Sequence, residues 1–133
     1  MLPRITLAVA ALIAAAPLIA AGPCPRPTGR EAPACNAQPT PTSITACTTD
    51  ARHAESCANH ETGLAHALHL VQAATEWTKA AQATGSHTKK ARQWLAHAIV
   101  LDERVQDDPT APQTLRHQAE LNERSARQAL TPH

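Results

Sequence analysis

The segment ARQWLAHAIVLDERV, residues 91–105, decides the fold class of this chain. Its apolar residues recur at alternating intervals of three and four, which is the spacing of core positions along a heptad. They are Ala91, Trp94, Ala98, Leu101 and Val105, with Leu95 and Ile99 beside them. This pattern predicts an amphipathic helix over about residues 87–106 with one buried face. Its N-cap is expected at Ser86, and Asp107-Asp108-Pro109 ends it.

Three more helices are predicted around this segment. One covers about residues 50–59 with Asp50 as its N-cap, one covers 64–84, and the last covers 111–130 after a cap at Thr110. The connections near residues 85–86 and 107–110 are short, so consecutive helices must be antiparallel. The chain is therefore predicted to be all-α. We expect a helical hairpin of residues 64–106 within a three- to four-helix bundle over residues 50–131.

Residues 1–21 have the features of a secretory signal peptide. Arg4 supplies a positive charge, residues 5–16 are apolar, and small residues at 20–22 suit a peptidase, with Ala21 as the last residue removed. A membrane span is the less favoured alternative, because Pro17 interrupts a stretch that is already short for crossing a bilayer. The membrane is thus expected as a partner only if this segment stays uncleaved.

Residues 22–49 are predicted to be an extended, irregular arm, because they are rich in Thr and Ala and their prolines oppose both helix and sheet. The four cysteines of the chain are Cys24, Cys35, Cys47 and Cys57. An even number in an exported chain predicts two disulfides, with three pairings possible. Since loop closure favours near neighbours, we expect Cys24 to pair with Cys35 and Cys47 with Cys57.

The composition limits both the core and the partner. The chain has no Phe, no Tyr and only two Trp, so burial must come from Leu, Val, Ile and many small Ala side chains. Trp77 and Trp94 fall on facing seams and are predicted to form the packing centre. With 12 Lys and Arg against 11 Asp and Glu, nucleic acid is not an expected partner. Because so thin a core favours association, we expect a protein partner or self-association.

Histidines are the main candidates for chemistry, and there are eight. His53 and His60 flank Cys57 at helical spacing, and His66 and His69 form a second pair three residues apart. Imidazole and thiolate are good ligands for zinc or copper. His53, His60, His66 and His69 are therefore candidate metal ligands, with Cys57 as a further ligand if it is reduced. The alternative interpretation is that they are surface histidines beside a bridged cysteine.

No enzyme signature is present in the sequence. It lacks a glycine-rich phosphate loop and a nucleophile elbow, and the His-Glu-x-x-His order of zinc hydrolases is absent where His60 precedes Glu61. We therefore expect a non-enzymatic protein without a cofactor, of a composition that fits a bacterial source. It is expected to be periplasmic, secreted or attached to the cell envelope, and to bind a macromolecular partner. The alternative function is extracytoplasmic metal binding by the clustered histidines.

Overall fold

The computed structural model of the protein describes Cys24 and residues 35–132. This part contains four helices and no strand: α1 (Pro41–Asn59), α2 (Gly63–Thr84), α3 (Lys89–Gln106) and α4 (Gln113–Leu130). The predicted all-α class is confirmed for these residues. The predicted signal peptide and residues 22–23 and 25–34 of the predicted arm lie outside them.

None of the four helices combines the length and the apolar character that crossing a membrane requires.

The second helix is the centre of the bundle. α2 packs against α1, α3 and α4, and α3 also packs along α4. By contrast, α1 and α3 have almost no direct backbone packing on each other. Side chains of α1, α2 and α3 therefore meet where the first and third helices pass over the second, and we call this region the α1–α3 seam.

Alanine dominates the core, as the composition requires. On α2 the residues Ala67, Ala74 and Ala81 are fully buried, and Ala91 and Ala98 of α3 are fully buried as well. The largest fully buried apolar side chains are those of Leu95, Leu101 and Val105. An alanine removes little surface from water, but its small side chain lets two helix axes approach closely. The bundle therefore depends on close backbone packing more than on large side chains.

The first helix begins much earlier than the sequence indicated. It starts at Pro41 and not after Asp50, so the last part of the predicted arm is helical. Thr40 is the N-cap, and its hydroxyl oxygen accepts a hydrogen bond of 3.1 Å from the backbone N–H of Ser43. Proline is well suited to the first helical position, because its fixed φ matches the helix and its missing N–H would have no partner there. The prolines therefore mark the helix start in this chain and do not exclude a helix beyond it.

The position of the helix start can be tested by replacing each of the two possible N-cap residues with alanine. We expect Thr40→Ala to lower the free energy of unfolding by about 1 kcal/mol, because the N–H of Ser43 loses its acceptor. The matched variant Asp50→Ala lies inside α1 and should change stability by less than about 0.5 kcal/mol. Urea unfolding followed by circular dichroism measures both variants. If Asp50→Ala lowered the free energy of unfolding more than Thr40→Ala does, the helix would begin at Asp50 and not at Pro41.

Two other caps differ from expectation. Helix α3 is capped by Thr88 and not by Ser86, with the Thr88 hydroxyl accepting from the N–H of Ala91 at 3.1 Å. Helix α4 follows Pro112, which provides no side-chain cap. The hydroxyl of Thr110 instead donates to the carboxylate of Asp108 at 2.6 Å, which stabilises the connection before the helix.

The predicted disulfide pairing is wrong, although both cross-links are present. Cys24 pairs with Cys57 and Cys35 pairs with Cys47, with Cα–Cα distances of 5.5 and 4.4 Å. The reason is the early start of α1, which places Cys47 and Cys57 on one helix. At 1.5 Å of rise per residue their Cα atoms are separated by about 15 Å, far beyond the reach of a disulfide. The arm supplies the partner of each.

Candidate functional site

Cys24, His53 and Cys57 lie close together beside α1, and we call them the sulfur–histidine group. Nε2 of His53 is 3.6 Å from the Sγ of Cys57 and 3.8 Å from the Sγ of Cys24. His53 and Cys57 are four residues apart on one face of α1, while Cys24 arrives from the arm. Cys57 is buried, and the other two side chains are half-buried. Among the described residues, this is the only cluster of His, Cys, Asp or Glu with three donor atoms close enough to hold a metal ion.

The four candidate histidines are not brought together, and only His53 belongs to this group. His60 is exposed and forms the C-cap of α1. Nδ1 of His66 lies 2.7 Å from the carbonyl oxygen of Ala58, an acceptor at the end of α1, and Nδ1 of His69 lies 2.5 Å from Oε1 of Glu61. His66 thus attaches the start of α2 to the end of α1, and His69 attaches it to the α1–α2 connection.

A second cluster occupies the α1–α3 seam, and we call it the aromatic cluster. It consists of Glu55 from α1, Trp77 from α2, and Trp94 and His97 from α3. The carboxylate of Glu55 accepts a hydrogen bond of 2.6 Å from the indole N–H of Trp77, and its other oxygen lies 2.7 Å from Nε2 of His97. A buried indole N–H needs an acceptor, and Glu55 supplies it. One carboxylate therefore connects three helices.

The rings of the aromatic cluster are in contact with one another. The centroid of Trp77 is 5.9 Å from that of Trp94 and 5.7 Å from that of His97, the latter pair edge to face. Trp77 is buried, whereas Trp94 is half-buried and the side chain of His97 is 42% exposed. The cluster therefore extends from the core to the surface of the seam.

Two cations lie over the tryptophan rings. The guanidinium carbon of Arg52 is 5.6 Å from the Trp77 ring centroid, and Nζ of Lys90 is 5.6 Å from that of Trp94. Both distances are within the range of a cation–π attraction. Because Arg52 and Lys90 are exposed, the surface of the cluster is aromatic and positively charged.

One acidic side chain is buried in the core without compensation. Asp102 of α3 is fully buried, and neither of its carboxylate oxygens has a hydrogen-bond partner among the described residues. Burial, and to a smaller extent the nearby charge of Glu123, together raise the pKa of Asp102 to about 8. The carboxyl group is therefore predominantly protonated at neutral pH, which lowers the cost of burying it.

The sequence pointed to His53 and Cys57 as possible ligands, but it did not place Cys24 beside them. Neither Glu55 nor His97 was singled out. Their meeting depends on where α1 and α3 lie over α2, and no local spacing encodes that. Asp102 did carry a signal, because it stands at core spacing from Ala98 and Val105 within the segment 91–105.

Comparisons with known proteins do not identify a family for this chain. No protein-family model matches it, and no curated protein or solved structure does so either.

Proposed function

We propose that this chain is a small, non-enzymatic, exported helical protein that binds an acidic segment of a protein partner through the aromatic cluster. Its location outside the cytoplasm is supported by the predicted signal peptide and by the two disulfides, since such cross-links form and persist in oxidising compartments. The near balance of charges disfavours nucleic acid as the partner.

The observation that carries the proposal is the half-buried Trp94, which packs against the buried Trp77 in the α1–α3 seam. Tryptophan and arginine are enriched among the residues that contribute most to protein–protein binding. Trp94 is held against Trp77 and beneath Lys90, so it gives up little conformational freedom when a partner covers it. The cluster is therefore a pre-organised surface for one partner side chain or a short segment.

The charges around the rings favour an acidic partner. Arg52 and Lys90 each place a positive charge on the exposed side of the cluster. The one carboxylate of the cluster, Glu55, is already in contact with the indole N–H of Trp77 and the imidazole of His97. Acidic side chains of a partner would therefore meet exposed cations here, and such complementarity accelerates association and discriminates between partners.

We expect Lys90→Glu to weaken partner binding at least about tenfold, a loss of about 1.4 kcal/mol of binding free energy. The reason is that the substitution replaces an attraction with a repulsion at an exposed position, where it should not affect folding. Trp94→Ala should weaken binding at least as much, because it removes the aromatic contact surface. The measurement is capture of extracytoplasmic proteins on the immobilised chain, followed by titration of the captured protein.

Leu121→Ala is the matched control, because Leu121 is 42% exposed and lies on α4, outside the aromatic cluster. It should leave binding unchanged. Equal binding by all three variants would refute the role of the cluster, as would a strictly monomeric chain that captures no protein. A dimer in sedimentation that Lys90→Glu dissociates would identify a second copy as the partner.

A further inference from the structure

In the sulfur–histidine group an imidazole lies beside the disulfide, although a disulfide requires no such neighbour. His53 and Cys57 project from consecutive turns of α1, so a rigid helix fixes their spacing. The imidazole is directed at both sulfurs and lies within 3.8 Å of each. In the described part of the chain this imidazole has no other donor or acceptor, whereas the other three candidate histidines lie at or contact the end of α1 and the α1–α2 connection.

We propose that reduction of the Cys24–Cys57 disulfide converts the sulfur–histidine group into a zinc site. The site lies on a different face of α1 from Glu55 and is independent of partner binding at the aromatic cluster. It would make the chain a metal-binding protein under reducing conditions and a cross-linked one under oxidising conditions.

The chemistry balances with a dithiol as the reductant. Exchange breaks the S–S bond of the chain and forms one in the dithiol, which passes its two hydrogens to Cys24 and Cys57. Binding of Zn²⁺ then releases these two protons, since the thiolate is the form that ligates the metal. Reoxidation by a disulfide of the same class would expel the ion.

The distances fit zinc. With Zn–S bonds of about 2.3 Å and Zn–N bonds of about 2.0 Å, a tetrahedral site separates sulfur from nitrogen by about 3.5 Å. Nε2 of His53 is already 3.6 and 3.8 Å from the two sulfurs. Only the two sulfurs must move apart, and Cys24 belongs to the arm, whereas Cys57 belongs to the helix. Two cysteines and one histidine leave a fourth position for water or a substrate group.

The second disulfide keeps the site assembled after reduction. Cys35 is attached to α1 at Cys47, about 15 Å along the helix from Cys57. The ten residues between Cys24 and Cys35 can span roughly 35 Å, so Cys24 remains tethered within reach of His53. The local concentration of the third ligand therefore stays high.

The test is a zinc titration of the purified protein in its oxidised form and in the form in which limiting dithiol has opened only the Cys24–Cys57 bridge, with the reductant removed beforehand. We expect one zinc per reduced chain and none per oxidised chain. His53→Gln should weaken binding by more than about a hundredfold, because loss of an outer-shell partner alone costs 10–100-fold. The matched variant His60→Gln should bind as the original chain does, since His60 lies outside the group.

Alkylation mapping supplies a readout that does not depend on variants. Zinc should protect Cys24 and Cys57 of the reduced chain from alkylation, and chelation should abolish that protection. The proposal fails if the reduced chain binds no zinc, if both histidine variants behave alike, or if protection falls on Cys35 and Cys47. It also fails if reduction removes the helical circular dichroism signal and zinc does not restore it. These outcomes leave partner binding by the oxidised chain untouched.

Discussion

Asp102→Asn is expected to make the protein more stable at pH 8 by several kcal/mol, and by a much smaller amount at pH 5. The folded pKa of Asp102 is raised from 3.8 to about 8, so the folded chain holds a proton that the unfolded chain releases over this range. Each pKa unit corresponds to about 1.4 kcal/mol, which sets an upper limit on the order of 6 kcal/mol above pH 8. The asparagine keeps the shape of the protonated carboxyl group without the charge.

The sign of the pH dependence follows from the direction of this shift. The contribution of Asp102 to stability is fully present below about pH 4 and is lost progressively as the pH rises to about 8. Urea unfolding at pH 5, 6.5 and 8 measures it. In the original chain the free energy of unfolding should fall across this series, and in Asp102→Asn the fall should be much smaller.

Asp107→Asn is the control for this series, because Asp107 is exposed at the end of α3 and should not alter the pH dependence. A second variant probes the cause. Hydrogen bonds from Gln106 and Arg127 lower the pKa of Glu123, which keeps that carboxylate charged near Asp102. Glu123→Gln should therefore reduce the pH dependence in part. A pH dependence that is the same in the original chain and in Asp102→Asn would mean that Asp102 is ionised in the folded protein.

The buried aspartate illustrates what the sequence could and could not reveal about the fold. The spacing of apolar residues over 91–105 predicted α3, because helix periodicity is a local property. The same spacing also includes Asp102, but an acidic residue is ordinarily read as solvent-exposed. Its burial depends on α4 covering that face of α3, and the sequence of α3 contains no information about the helix that covers it.

The start of α1 shows a different limit. Pro39 and Pro41 were interpreted as excluding helix, whereas Pro41 occupies the first helical position after the Thr40 cap. The sequence contained this cap, but a proline-rich stretch before it favoured the extended interpretation. The disulfide prediction was wrong for the same reason. With Cys47 placed on the arm, a bond between Cys47 and Cys57 appeared possible.

For the candidate site, the sequence predicted some of the residues but not how they come together. Cys57 and His53 were recognised as possible ligands from helical spacing, which α1 preserves. The third member, Cys24, joins them through a cross-link of sequence separation 33. The aromatic cluster depends on the meeting of three helices, and tertiary packing determines that meeting. The sequence thus revealed neighbours within one helix, but it did not reveal contacts between residues of different helices or of the arm and a helix.

The two disulfides should contribute comparably to stability because they are nested. Cys35–Cys47 closes the inner loop of separation 12, and Cys24–Cys57 closes the outer one of separation 33. The chain-entropy relation gives about 3 kcal/mol for the inner loop and about 4 kcal/mol for the outer loop taken alone. With the inner bridge intact, the outer loop is effectively shorter, and its contribution falls to about 3 kcal/mol. Replacing both pairs should therefore cost about 6 to 7 kcal/mol, which is comparable to the whole stability of a small domain.

The measurement compares Cys24→Ala/Cys57→Ala with Cys35→Ala/Cys47→Ala in urea, each pair being replaced together so that no single thiol remains to scramble. Pairing itself is established by trypsin digestion without reduction, because cleavage after Arg30 and Arg52 places Cys35 and Cys47 on one peptide. The nested pairing then yields that peptide closed on itself and two others joined through Cys24 and Cys57. Either alternative pairing would join all three peptides, and that product would overturn the nested arrangement. An unchanged free energy of unfolding in either double variant would instead show that its bridge does not stabilise the bundle. The comparison matters beyond stability, because a zinc site formed by Cys24 and Cys57 requires that the bundle survive without the outer bridge while the inner one holds the arm.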